Sequence, residues 1–348
     1  MSFCDPFAGA QLPTISFIVI NYNYGRFLPQ CVESIFSQTY PNIECIVVDD
    51  CSTDDSADVV STLKRDHPKL QTIFKSSNAG QSAACLDGYH QSSGEYVVFV
   101  DADDYLFEAF AETHYFVHMS APFAVGFTSS DMAQVVNKAV VLGTVFDASG
   151  KRDPKSFLEI ALTESGRIPD GHALFARAQR ECLKVKFVRP TTLDWVWAPT
   201  SGTMYRRDAL ALFVDCPGLA DLRRSTDAFF NYAINAFTGS ILIERTLSAY
   251  RIHGANRFTR TAALNNLLPF EPGTELASIA TKLILAHVAS HIDEFARRTS
   301  SIGILTQAMH TLARKAAQAR AGGPIFRQLH ALFLELLRFY WQIRLKLI

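Results

Sequence analysis

Asp101-Ala102-Asp103-Asp104 is the densest chemistry in the sequence. Carboxylates this close repel each other unless a cation or a proton sits among them. Hard oxygen ligands suit Mg²⁺ or Mn²⁺, which is held by one or two carboxylates plus substrate phosphates. Aspartate is also favoured at a helix N-cap, and Asp104 alone can serve as one. Asp49-Asp50 is a second pair. One of these carboxylates can accept an N–H from a nucleobase while the other caps a following helix. Asn21-Tyr22-Asn23 is a third polar cluster, equally compatible with ordinary turn chemistry. Glycine-rich dinucleotide and P-loop signatures are missing, as are H-E-x-x-H and G-x-S-x-G. The chemistry therefore has to run through carboxylates.

The elements that must position these groups alternate. Apolar, β-branched runs at 15–20, 43–48, 71–75 and 95–100 read as buried strands. Between them, 26–38 reads as a helix with Phe27, Leu28, Cys31, Val32, Ile35 and Phe36 on one stripe, and 56–66 and 81–91 read as two more helices. Strand–helix alternation of this kind predicts an α/β fold with a mostly parallel sheet flanked by helices. Ligands bind such sheets beyond the carboxyl ends of the strands. The three polar clusters sit at those ends and are expected to converge. Further along, 107–119 reads as a helix and 122–147 as two or three strands. Residues 148–190 resist assignment and are expected to hold a loop over the site. Short strand and helix readings follow at 201–205 and 208–212, then a helix at 225–237 and a strand at 240–250. Beyond Asn256 the chain reads as helical, with a break at Gly322-Gly323-Pro324.

The motif order carries a resemblance. Ile18-Val19-Ile20-Asn21-Tyr22-Asn23, Ser34-Ile35-Phe36-Ser37-Gln38-Thr39-Tyr40-Pro41, Val47-Val48-Asp49-Asp50-Cys51-Ser52-Thr53-Asp54, Asn78-Ala79-Gly80-Gln81-Ser82-Ala83-Ala84 and the block from Gly94 to Asp104 stand in order at characteristic spacings. Together they resemble family-2 glycosyltransferases, strongly over about residues 14–110. The likeness is weaker through 201–207, 226–230 and 250–256. It implies the GT-A fold and inverting transfer of a sugar from a nucleotide-diphosphate donor to a saccharide or lipid-linked acceptor. A role in cell-surface polysaccharide or glycoconjugate synthesis would follow.

Residue by residue, the likeness implies that Asn21, Tyr22 and Asn23 line the nucleotide pocket and that Asp50 contacts the base. Asp101 and Asp103 match the motif that binds metal (Mg²⁺ or Mn²⁺) and diphosphate, with Asp103 the direct ligand. Asp227 matches the general base at the start of the acceptor-side helix; a helix cap is its plainer reading, and Asp221 is the alternative base. His253, at a strand end beside Arg251, can contact the diphosphate or complete a metal shell, or be structural. Two departures stand out. Leu86 replaces an asparagine common two residues before the matched Gly88, and Thr226-Asp227 offers one carboxylate where a pair is common. Trp195 and Trp197 can stack on an acceptor sugar or fill the core. Arg206-Arg207 can pair with phosphate or face solvent. A non-catalytic nucleotide-sugar-binding protein of the same fold is the alternative function. A nucleotidyltransferase would need a glycine-rich, basic loop after the first strand, which 21–26 is not.

Composition bounds the rest. The 348 residues carry 33 basic and 34 acidic side chains, which disfavours a nucleic-acid partner. From Arg257 onward there are 12 basic and 5 acidic residues, so a basic tail follows an acidic body. Seven cysteines without a C-x-x-C pair read as reduced thiols in a cytoplasmic protein. No secretory leader or membrane span is read. The expected organisation is a tail at 1–13, a GT-A domain at 14–255 and a helical region at 256–348. Within the domain, 14–115 forms the nucleotide-sugar half and 116–255 the acceptor half. The apolar stripe of 325–348, with Arg327, Arg338, Arg344 and Lys346 off it, reads as an interfacial helix. Its expected partner is the inner face of the plasma membrane, the body of the protein or a second copy.

Overall fold

The computed structural model describes residues 11–143, 157–160, 162, 183–254, 256, 274–299 and 301–318. The interfacial helix expected at 325–348, and most of the segment at 148–190, lie outside them. The strands are β1 (Ile15–Asn21), β2 (Ile43–Asp49), β3 (Gln71–Phe74), β4 (Tyr96–Asp101), β5 (Tyr105–Leu106), β6 (Phe127–Val136), β7 (Ala139–Leu142), β8 (Phe157–Glu159), β9 (Val185–Val188), β10 (Thr203–Arg206) and β11 (Ser240–Ile252). The helices are α1 (Leu28–Phe36), α2 (Ser56–Asp66), α3 (Gln81–Gln91), α4 (Phe110–Ser120), α5 (Arg207–Leu210), α6 (Thr226–Thr238), α7 (Thr274–Ser290), α8 (Ile292–Thr299) and α9 (Ile302–Gln318).

One sheet carries the fold, in the order β3-β2-β1-β4-β10-β6-β11-β9-β8. The first four strands run parallel. β10 enters antiparallel to both β4 and β6, so the sheet becomes mixed there. Every residue of β1 is buried, as a central strand covered on both faces must be. Alternate side chains feed two apolar layers. Ile18, Ile20, Ile46, Val48, Val97 and Phe99 face one layer. Phe17, Val19, Cys45, Val47, Val98 and Val100 face the other, against Leu28, Cys31, Val32 and Ile35 of α1.

The expected topology holds, with two local differences. Residues 25–27 wind as a 3-10 turn before α1, so that helix begins later than its apolar stripe suggests. Asp101 is the last residue of β4 rather than the first of the loop, so its backbone is fixed by strand pairing. The helices after 273 are not a detached appendage. Ile284, Val288, Phe295, Leu305, Met309 and Leu312 share one core with Phe229 and Phe230 of α6. No helix among the described residues is long and apolar enough to cross a membrane.

Candidate active site

β1 pairs in parallel with β2 on one side and with β4 on the other, so the strand order reverses at β1, and sheets of this kind take their ligands in the crevice beyond such strand ends. The three expected clusters meet there. The loop after β1 is sewn to the loop after β2. Asn23 holds a left-handed backbone, φ 60°, and its Oδ1 accepts the Thr53 N–H at 2.7 Å. Its own N–H donates to Ser52 Oγ at 2.9 Å, and the Gly25 N–H donates to Asp54 Oδ2 at 3.0 Å. A Cβ on Gly25 would lie 2.5 Å from Asp55 Oδ1, so glycine permits this approach.

Asn21 lies beneath the crevice. It is fully buried, and its amide donates to Asp49 at 2.6 Å and to Ser56 at 2.9 Å. Tyr22, at 44%, and Asn23 are the exposed members of the cluster. Asp50 is buried, and both carboxylate oxygens are engaged. They accept the Ala79 N–H at 3.0 Å and the Gly80 N–H at 2.7 Å, with Lys75 Nζ at 3.6 Å. Asp50 thus clamps the loop that leads into α3.

The carboxylates after β4 have separate partners. Asp101 accepts from Gln81 Nε2 at 2.8 Å, and its N–H donates to Ser201 Oγ at 3.0 Å. Asp104 accepts from Ser201 Oγ at 2.7 Å and from the Arg251 N–H at 3.2 Å. Asp103 Oδ2 lies 3.1 Å from His253 Nε2 and 3.4 Å from Asn256 Nδ2. Burial, then the charges of Asp103 and Asp227, push the Asp101 carboxyl up to about 7. Burial, then the charges of Asp103 and Asp101, raise Asp104 as well. His253 packs between Tyr24, at 5.3 Å, and Phe27, at 4.7 Å, and its buried Nδ1 has no hydrogen-bond partner. The Arg251 guanidinium is stacked over Phe27 at 4.7 Å and Tyr105 at 5.2 Å.

This donor set fits a hard divalent cation. Among the described residues no three acidic, imidazole or thiol groups already converge at metal-ligand spacing. Such an ion commonly takes only one or two protein carboxylates and completes its shell with phosphate and water. Asp103, with His253 and Asp101 beside it, supplies that number. The raised Asp101 and Asp104 carboxyls mark a cluster short of positive charge.

Asp227 stands across the crevice in the first turn of α6. It is half-buried, accepts the Ala228 N–H at 2.8 Å, and burial raises its carboxyl to about 6. Asp221 is exposed in a short 3-10 turn. Trp197 is a core residue, buried and donating to Ser240 Oγ at 2.8 Å, and Trp195 packs at right angles to it at 5.5 Å. Arg207 bonds to Gly94 and Ser92 and covers the Tyr89 ring, while Arg206 pairs with Asp208 at the surface. Both arginines are held by structural partners rather than by the strand-end carboxylates.

Sequence reasoning missed Gln81, Ser201, Asn256 and Arg223. Gln81, Ser201 and Asn256 stood inside recognisable blocks, so position rather than residue type was the available signal.

The model of glycosyl transferase family 2 matches residues 16–125. An uncharacterized glycosyltransferase of Nostoc sp. is 31% identical over 252 residues, 72% of this chain and 68% of that one. A putative teichuronic acid biosynthesis glycosyltransferase of Bacillus subtilis, TuaG, is 32% identical, over 26% of this chain and 36% of its own. The 1–349 fragment of TarS from S. aureus, in complex with UDP-GlcNAc, shares the fold at TM-score 0.50 and 18% identity, covering 88% of this chain and 81% of that one. With the alternating sheet, the strand-end carboxylates and a 31% identical relative matched over most of both chains, this chain belongs to glycosyl transferase family 2 and has its GT-A fold.

Proposed function

We propose that the chain moves a sugar, with inversion, from a nucleotide-diphosphate donor to an acceptor hydroxyl in the building of a surface glycan. One observation carries the reading: Asp103 meets His253 at 3.1 Å, and Asp101 lies close enough to Asp103 and to Asp227, in the first turn of α6, to feel both charges. The donor nucleoside would lie along 21–23 and the loop clamped by Asp50. Its diphosphate would face Asp103 and His253. Asp103, with Asp101 and His253 beside it, would hold a divalent ion, which would supply Lewis-acid stabilisation of the charge that grows on the leaving diphosphate.

The residues of the chain do the rest. Asp227 accepts the proton of the attacking hydroxyl, whose oxygen forms a new bond to the anomeric carbon. The bond from that carbon to the diphosphate oxygen breaks, and its electron pair leaves with the diphosphate. A carboxylate titrating near 6 is ionised at neutral pH yet basic enough for this transfer. TuaG and the bound UDP-GlcNAc of TarS make uridine-diphosphate sugars and glycan acceptors the first compounds to try.

The test is a thermal-shift screen of nucleoside diphosphates with and without Mn²⁺, followed by donor turnover. Stabilisation by one nucleotide that requires the metal, and turnover lost in Asp103→Asn, support the reading. Turnover that survives both Asp103→Asn and Asp227→Asn would overturn the roles given to these two residues, and nucleotide binding without any turnover by the wild-type chain would leave a binding protein.

A further inference from the structure

The donor-side loop and the helix bearing Asp227 are fastened together by a strap outside the reaction centre. Arg223 sits four residues before Asp227, in left-handed backbone at φ 57°, and Ser225 is left-handed too, at φ 61°. This double reversal turns the Arg223 carbonyl back onto α3, where it accepts the Gln81 N–H at 2.9 Å. The fit is close: a Cβ on Gly80 would stand 2.6 Å from the Arg223 carbonyl oxygen. The Arg223 guanidinium reaches the other way and grips Asn78, with its side-chain oxygen at 2.5 Å and its carbonyl at 3.3 Å. One turn further in, the buried hydroxyls of Ser82 and Thr226 meet at 2.8 Å.

We propose that Arg223 is a positioning residue: by gripping Asn78 it ties the loop clamped by Asp50 to the first turn of α6, and so sets where Asp227 stands relative to Asp101. Three facts point beyond ordinary stabilisation. Arg223 is exposed, where a polar contact adds little to stability. Left-handed backbone is costly for arginine and free for glycine, so the guanidinium is what glycine could not supply. And the strap joins one element of the donor side to one of the acceptor side, through residues within three positions of Gln81 and four of Asp227. A displacement of about 1 Å between reacting groups can cost about 100-fold in rate.

The proposal rests on the transferase reading, and its test separates the two. Arg223→Gly keeps the left-handed backbone and its carbonyl bond but removes the grip; Asn78→Ala removes the same grip from the other side. Each is measured in the full-length chain with Mn²⁺ and the donor identified by the screen, following transfer to acceptor, hydrolysis to free sugar, and the thermal shift given by the nucleoside diphosphate. For Arg223→Gly we expect transfer kcat to fall about 10- to 100-fold. Donor KM and the nucleotide thermal shift should stay near wild type, and the share of donor lost to water should rise. The double variant should be no worse than the poorer single variant, because both remove one interaction. A melting temperature lowered with an unchanged transfer-to-hydrolysis ratio would reduce the strap to a structural contact and overturn the proposal. A large rise in donor KM, with transfer and hydrolysis falling together, would mean that the grip serves donor binding rather than the placing of Asp227, and would also overturn it. A wild-type chain that turns over no donor would instead sink the transferase reading.

Discussion

At the scale of single residues, type and environment divide the labour among the aspartates. Asp227 and Asp50 carry the same group, yet one is half-buried with a carboxyl raised to about 6, and the other is buried with two N–H donors on it. As a general base, Asp227 must be ionised, so transfer should rise with pH up to about 6 and level off above it. Asp227→Asn should lower kcat about 10²- to 10⁴-fold and abolish that limb, while the nucleotide thermal shift persists. A pH–rate profile at saturating donor checks both. Asp50→Asn offers an N–H₂ where an acceptor is required, so one backbone N–H of the loop loses its partner. Chemical denaturation should show a loss of about 1–3 kcal/mol. Weakened nucleotide binding at unchanged stability would mean instead that Asp50 acts on the base directly. The strand-end aspartates were legible in the sequence because they follow apolar runs. Their orientation was not: the partners Gln81, Ser201 and Arg251 come from other segments, and nothing next to the aspartates in the sequence announces them. Asn21 shows the same limit, since its residue type suits a ligand pocket but its burial makes it a brace between two loops.

At the scale of elements, close approach and buried polar groups set what each helix tolerates. Gly88 lets α3 lie on β1: a Cβ there would stand 2.2 Å from Ile18 Cγ2, inside the strand whose end carries the site. Gly88→Ala should therefore cost about 1–3 kcal/mol through overpacking, read as a lower denaturation midpoint with an unchanged slope. Helix α4 makes a different demand. His114 is fully buried, bonds to Thr128 Oγ1 at 2.7 Å through Nδ1, and leaves Nε2 without a partner. Burial, with His118 nearby, holds its imidazole well below the usual 6.5, so it is neutral when folded. Unfolding lets it take a proton once the pH drops below 6.5, so its contribution to stability is complete above that value and is lost as the pH falls. His114→Leu should flatten the decline in stability between neutral pH and pH 5 relative to wild type; identical slopes would show that other groups govern it. The four early strands and their helices were readable because parallel strands are continuous apolar runs. The mixed half was read less completely: β10 is short, and its place between β4 and β6 is set by pairing across long sequence separations.

For the whole molecule, the question is whether the helices after 273 form a separate unit. Charge suggested so, because the basic excess begins at Arg257 while the acidic excess belongs to the body. Packing argues otherwise for the described part. Leu312 of α9 and Ile284 of α7 are buried in the same apolar layer as Phe229 and Phe230, two and three residues past Asp227. Phe213, on the segment before α6, packs tilted against Phe295 of α8 at 5.3 Å, and Phe237 of α6 meets that ring at 5.1 Å. Lys315 of α9 covers the Tyr232 ring of α6 at 4.4 Å. The element that carries the proposed base is therefore walled by the C-terminal helices on the side away from the crevice. A shared core of this kind should melt as one unit. Leu312→Ala should cost about 2–5 kcal/mol by opening a cavity there. Its effect should appear equally in far-ultraviolet circular dichroism and in tryptophan fluorescence, since Trp195 and Trp197 pack on Tyr232 of that same α6. Two separated transitions, with only the circular-dichroism signal shifted, would mean that the helices fold apart from the sheet. In that case α6 would keep its own stability, and Asp227 would be placed by the sheet and the Arg223 strap alone.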